Sequence, residues 1–200
     1  MSFIKNNFHN ILRLYINQIG ITIFALMLYT ACGFTDSDEL LAKLRTVVSV
    51  FSILFYFVLI YFVSWEYGAN DRIKVDGGKQ TAIRGKGALM SLVANLPNLL
   101  LSIVTVILGY IYVGGNQAVG NFFGLFHAFT MAHASMYMGV IQTFIYGFRA
   151  VDTVPIDQQY MLMPVLFLLI PLLSIGVCQF AYSLGYREIK ISKLLFDRKK

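Results

Sequence analysis

Charged side chains are what this sequence has least of. The 200 residues hold 16 Lys and Arg and 10 Asp and Glu, 13% charged in all, where soluble domains carry about 25%. With 58% of residues hydrophobic, that shortage excludes a water-soluble core. Cysteine is limited to Cys32 and Cys178. They fall at different depths of different apolar runs and do not readily meet at the ~5.5 Å Cα spacing of a disulfide, so they read as two free, packed thiols. The chain also lacks a catalytic set. Asp152 and Asp157 flank Pro155 without a partner base, no nucleophile elbow is present, and no metal-ligand spacing recurs.

Apolar runs take the place of those missing features. Blocks at 14–34, 46–66, 88–113 and 160–186 each supply the ~20 residues a helix needs to cross ~30 Å of hydrocarbon. The expected fold is all-α, a polytopic transmembrane helix bundle of four principal spans plus a buried or partly inserted helical segment at 119–148. Residues 14–34 lack a small-residue cleavage site and lead into further spans, so they are expected to remain as the first crossing rather than be removed as a signal peptide. Ahead of them, residues 1–13 place Phe3, Ile4, Phe8, Ile11 and Leu12 opposite Lys5, His9 and Arg13, the pattern of a helix lying in the headgroup region. Asp36 followed by Glu39 marks the start of a second helix.

The few charges are unevenly placed. If the number of crossings is even, Lys5 and Arg13, the loop cations Arg72, Lys74, Lys79, Arg84 and Lys86, and Arg187, Lys190, Lys193, Arg198, Lys199 and Lys200 of the tail share one side. Lys43, Arg45 and Arg149 are left on the other. A fifth crossing would divide the cations equally and erase the bias that orients membrane proteins. The net charge of +6 is therefore a topology signal, and no nucleic-acid partner is expected. Residues 119–148 are expected as shorter helices, since one unbroken helix of that length would run about 45 Å and two crossings need ~40 residues.

The loop at 67–87 is the one long polar block between spans. Asp76-Gly77-Gly78 between two short alternating runs predicts a β-hairpin over 72–83. The lysines and glycines of GGKQTAIRGKG do not make a phosphate loop, because six residues separate Gly78 from Gly85 and Gly87 stands where Ser or Thr is required. Arg72, Lys74, Lys79, Arg84 and Lys86, with Lys190 and Lys193 of the tail at 187–200, are the expected contacts to anionic lipid or to a cytoplasmic protein partner.

Three further groups carry candidate roles. Pro97 lies ~13 Å and Pro171 ~16 Å from the inner ends of their spans, close to the midplane. Pro97 sits between Asn95 and Asn98, so the freed backbone is answered by these amides and a neighbouring helix, or it lines a polar cavity. Asn95, Pro97, Asn98 and Pro171 are the substrate-path candidates, interrupted spans at matched depth being a transporter pattern. Gly120, Gly124, Ala128 and Ala132 recur every fourth residue as a helix-packing ridge. His127, Met131 and Met138 share one helical face as a conceivable set of soft metal ligands, while His133 points about 120° away from His127. Packed histidines are the plainer reading, and no metal or cofactor is expected. Glu66 is expected in an interfacial salt bridge.

The segments NQIG at 17–20, WEYGANDR at 65–72 and SLGYREIKI at 183–191 resemble stretches of uncharacterised bacterial multi-pass membrane proteins. The resemblance implies a bacterial inner-membrane setting with a cytoplasmic tail. The expected function is a non-catalytic component of a transport or permease system, held in a homo- or hetero-oligomer. The alternative is an assembly subunit that binds a soluble partner through its basic loop and tail. A membrane enzyme acting on lipid or haem ranks third. The even count predicts that a C-terminal alkaline phosphatase fusion is inactive while a C-terminal fluorescent protein is bright; the opposite pair of results would place the tail outside.

Overall fold

Every element of this chain is a helix wherever its path is described. A computed structural model describes residues 2–35, 37–146 and 162–189. Among them run α1 (Ser2–Ala31), α2 (Asp38–Asp76), α3 (Lys86–Ala94), α4 (Leu96–Val113), α5 (Gly120–His133), α6 (Ser135–Tyr146) and α7 (Met163–Tyr186), with short 3-10 turns at Cys32–Phe34 and Gln117–Val119 and no strand. Four of these stretches are long and apolar enough to cross a membrane: Phe3–Phe34, α2, α4 and α7. That is the expected helical membrane bundle of four principal spans. Asp36, Arg149, Asp152, Asp157 and residues 190–200 of the tail, with Lys190 and Lys193, lie outside the described residues.

Several boundaries differ from the expected ones. α1 is continuous from Ser2, with no break between an interfacial helix and the first span. α2 opens on Ser37, whose hydroxyl accepts the Leu40 N–H at 3.5 Å, and Asp38 and Glu39 in its first turn suit the positive end of the helix dipole. It then runs past the apolar block to Asp76, so Arg72–Val75 are helical and the expected hairpin is absent. An Arg72–Asp76 ion pair of 2.7 Å, one turn apart, supports this polar last stretch. A Schellman cap ends it: the Lys79 N–H reaches the Lys74 carbonyl and the Gly78 N–H that of Val75. Gly78 has φ +67°, a conformation glycine adopts without steric cost.

The third block is not one span. Asn95 interrupts it, leaving α3 and α4 as separate helices. Pro97 consequently stands in the first turn of α4, where a missing N–H costs nothing. Likewise the expected segment at 119–148, described as far as Tyr146, divides into α5 and α6 at Ala134, the shorter helices that its length called for.

The contacts divide the chain into two compact units. One comprises Met1–Asn17, Phe57–Asn95 and Leu172–Lys200; the other Gln18–Tyr56 and Leu96–Pro171. In the first, α2 and α7 meet backbone to backbone. A Cβ placed on Gly68 would lie 2.2 Å from the Tyr182 carbonyl oxygen, and one on Gly185 would lie 2.0 Å from that of Trp65. Trp65 Nε1 donates to the Ile189 carbonyl at 2.8 Å, tying down the end of α7. Arg13 and Glu66 pair at 3.4 Å with both side chains half exposed, the bridge expected of Glu66.

In the second unit the interruption at Ala134 is held by α1. Thr22 Oγ1 donates to the His133 carbonyl at 3.2 Å, and Ser135 Oγ donates to the Thr22 carbonyl at 2.7 Å. The first bond answers a carbonyl that the broken helix leaves open, and the second ties the start of α6 to the α1 backbone. α6 then lies against α2, where the Gly139 N–H donates to Ser49 Oγ at 2.7 Å and a Cβ on Gly139 would stand 2.0 Å from the Arg45 carbonyl oxygen. Tyr29 OH donates to Gln142 Oε1, and the Arg45 guanidinium sits 4.4 Å above the Tyr29 ring.

These approaches leave no room for a methyl group. Gly185→Ala and Gly139→Ala are each expected to lower stability by about 1–3 kcal/mol or more, as overpacking does, whereas Gly124→Ala, with open space around its Cβ position, should stay within about 0.5 kcal/mol of wild type. Thermal unfolding of the detergent-solubilised protein measures all three.

Candidate functional site

Two constellations of polar side chains stand out, one in each unit. The first is built on the turn-spaced residues Trp65, Gly68 and Asp71 of α2. The notch at Gly68 admits α7, and the neighbouring notch at Gly87 lies against Tyr182, to whose Cβ a methyl on Gly87 would come within 2.6 Å. Tyr182 OH thereby reaches Asp71 and donates to Oδ2 at 2.7 Å. Lys86, the first residue of α3, brings its Nζ to the same oxygen at 2.7 Å. The side chains of Lys86 and Asp71 are only 4% and 6% exposed, so this is a buried, charge-assisted cluster rather than a solvated surface pair. Taking two charges out of water costs several kcal/mol per ion. Mutual neutralisation plus the tyrosine hydrogen bond offsets that cost.

Around this pair the helix ends are fastened by further polar contacts. The Ala88 N–H, an open donor in the first turn of α3, is taken by Gln179 Oε1 at 2.9 Å. Cys178 Sγ lies 3.0 Å from Ser64 Oγ and 3.3 Å from the Gly87 carbonyl. Asn95 Nδ2 donates to the Ser91 carbonyl at 2.9 Å and lies 3.2 Å from Ser174 Oγ. A cavity of about 440 Å³ opens beside the ion pair, lined by residues of α1, the end of α2 and the following loop. A second of about 430 Å³, with Arg84, Gln179, Tyr182 and Arg187 in its wall, lies by the start of α3 and the end of α7.

The second constellation is the buried face of α4. Its buried residues are Asn98, Ser102, Thr105 and Gly109, spaced by four, three and four positions and hence on one face. Large apolar side chains such as Leu100 and Ile107 point outward, 55% and 54% exposed. Thr105 pairs with Thr130 of α5 at 2.7 Å. One hydroxyl donates to the other, and the acceptor gives its own proton to the Leu101 or Phe126 carbonyl within its helix. Asn98 Oδ1 and Ser102 Oγ are buried with no hydrogen-bond partner among the described residues. Beside this face Tyr112, Phe123 and His127 stack in sequence at 5.5 and 5.2 Å between ring centroids.

The residues singled out from sequence are distributed differently from expectation. Lys86 is not a loop cation facing lipid or a partner: Asp71 and Tyr182 hold it inside. Arg72 is occupied by Asp76 and by the Tyr186 ring, 5.6 Å away. Lys74 and Lys79 border the first cavity and Arg84 the second. Of the path candidates, Asn95, Asn98 and Pro171 are buried and Pro97 is exposed. Of the small-residue ridge, Gly124 and Ala128 are exposed, on the side of α5 away from Phe123 and Thr130, while Gly120 faces α4, where a Cβ on it would stand 3.0 Å from the Tyr112 ring. Met138 belongs to α6 and His127 and Met131 to α5, and the interruption at Ala134 removes the single face that joined them. No group of three His, Cys, Asp or Glu gathers among the described residues.

Sequence reasoning missed the Asp71–Lys86–Tyr182 cluster and the hydroxyls at 102 and 105. The signals were present as Trp65-x-x-Gly68-x-x-Asp71 against Tyr182-x-x-Gly185, two facing turn-spaced rows, and as a polar row at helical spacing within the apolar α4.

Compared with known proteins, the chain matches no family model, no curated protein and no solved structure.

Removing one member of the buried pair strands the other. Asp71→Leu or Lys86→Met alone is expected to cost about 3–5 kcal/mol, and the double replacement Asp71→Leu with Lys86→Met should recover much of it. A double-mutant cycle on thermal unfolding in detergent checks this, and additive losses would show that the charges do not depend on each other.

Proposed function

We propose that this chain is a non-catalytic integral component of a membrane transport or permease system, set in a bacterial inner membrane with both ends on the cytoplasmic side. The observation that carries the reading is the polarity of α4, whose buried face is made of Asn98, Ser102, Thr105 and Gly109 while its exposed face is apolar. A helix that serves only to fill a membrane bundle gains nothing from a buried carbonyl oxygen and a buried hydroxyl without partners among the described residues, each of which costs about 1–3 kcal/mol. Such groups are completed when water or a polar solute passes along them, and discontinuous helices beside polar residues are a recurring feature of solute paths. The placement of basic residues supports the orientation.

This reading narrows the path to a row. Asn98, Ser102 and Thr105 line it, whereas the Asn95 amide is spent on Ser91 and Ser174 and serves to hold α3 and α7 together.

In a Cys32→Ala, Cys178→Ala background reconstituted into liposomes, single cysteines at 98 and 102 should react with a charged, water-soluble thiol reagent at least about tenfold faster than cysteines at 100 and 107, because only a hydrated thiol ionises to the reactive thiolate. Equal, negligible reaction at all four positions would mean a dry, structural polar face and would overturn the proposal.

A further inference from the structure

The cavity beside Asp71 and Lys86 uses different residues from the polar face of α4, and its chemistry can be read independently. Its volume of about 440 Å³ falls within the ~300–1,000 Å³ usual for small-molecule sites. Three ammonium groups border it: Lys74 from the last turn of α2, Lys79 from the loop and Lys86 from the first turn of α3. Lys86 is fixed in place and balanced by Asp71. Lys74 and Lys79 are exposed, and neither is engaged by a carboxylate among the described residues. One carboxylate against three lysines leaves the wall with a surplus of two positive charges.

Neutral donors converge on the same space. Asn6 and Asn10, one helical turn apart on α1, and Thr81 of the loop contribute to its wall. Buried Asn7 lies between them, its Nδ2 given to the Phe3 carbonyl at 2.9 Å, which fixes this stretch of α1. Phe3 and Ile83 supply an apolar border. A surplus of two charges on flexible ammonium groups suits a compact anion whose oxygens point in several directions, since lysine binds phosphate as a point charge without the planar geometry arginine imposes. Carboxamides and a hydroxyl suit the oxygens and hydroxyls attached to such a group. The apolar border suits a carbon skeleton beyond it.

We propose that this cavity binds a phosphate ester, with Lys74 and Lys79 meeting the anionic oxygens and Asn6 and Asn10 the neighbouring hydroxyl or ester oxygens. The ester belongs either to the headgroup of an anionic lipid or to a small soluble molecule, and the two sources share this recognition chemistry. The buried Asp71–Lys86 pair forms the floor of the site, and the exposed Lys74 and Lys79 stand at its rim.

The full-length protein in a neutral detergent tests this with two probes. Isothermal titration with glycerol 3-phosphate, against glycerol, reads the soluble source. Native mass spectrometry with short-chain phosphatidylglycerol, against phosphatidylcholine of equal chain length, reads the lipid source. Tight binding of glycerol 3-phosphate assigns the site to a soluble ester; selective retention of phosphatidylglycerol alone assigns it to a headgroup. Lys74→Gln with Lys79→Gln alters exposed side chains and spares the floor of the site. It should weaken whichever probe binds by about tenfold or more, as the loss of charge-assisted hydrogen bonds does, while Arg72→Gln, outside the cavity wall, should leave binding unchanged. The proposal fails if neither phosphate-bearing probe is preferred over its control. It fails equally if the double lysine variant binds as wild type, or if Arg72→Gln weakens binding as much, which would mark a diffuse surface charge.

Discussion

Away from water a polar group is stable only where the chain itself supplies its partner, and this requirement explains where the helices are interrupted and how those interruptions persist. At Ala134 the opened His133 carbonyl is answered by Thr22, whose own carbonyl accepts the Ser135 hydroxyl. At Asn95 the side chain turns back to the Ser91 carbonyl and to Ser174. The first turn of α3 takes its partner from Gln179. Asp71 and Lys86 meet the same requirement in its most demanding form, since full charges are shielded there and a third group, Tyr182, is recruited to the carboxylate.

Glycine placement makes those encounters possible. Hydrogen-bonding side chains are short, so helices that use Ser, Thr and Asn across an interface must come closer than leucine packing allows. Gly68, Gly87 and Gly185 in one unit and Gly139 in the other lie where a neighbouring helix leaves less than a van der Waals contact for a methyl group. Polar contact and close approach are therefore coupled. Also in the second unit, α4 carries its hydroxyls inward and its hydrocarbon outward, the reverse of the arrangement a soluble protein would use.

The features legible in the sequence were those set by local composition: helical class, the four apolar stretches, the partition of the segment after 119 into shorter helices, and a salt bridge at Glu66. Those set by tertiary partners were not. Nothing in Ala132-His133-Ala134-Ser135 breaks a helix by propensity; Thr22, more than a hundred residues earlier, supplies the alternative bonds. Gly77 and Gly78 after Asp76 read as a hairpin turn, although they close a long helix, because GANDRIKVD lacks the apolar continuity that marked the rest of α2. Lys86 between two glycines in a basic loop looks solvated. Its burial depends on Asp71 one helix away, on the approach of α7 at Gly68, and on Tyr182, a convergence that no window of neighbouring residues contains. The row of Asn98, Ser102 and Thr105, at spacings of four and three, is visible in the sequence, but which side of α4 is buried is set by tertiary partners such as Thr130 of α5.

The position of Cys178 has a consequence for how this molecule can be observed in motion. Its sulfur is fully enclosed where α2, α3 and α7 converge, against Ser64 and the Gly87 carbonyl, while Cys32 is partly exposed. A thiol reagent can therefore attack Cys32 directly but reaches Cys178 only during the intervals when those three helices part. The slow phase of modification then measures how often the region around the buried charges opens, in the same way that amide exchange reports local unfolding. The native chain thus contains, without any added label, a chemical stopwatch for the breathing of its most tightly joined helices.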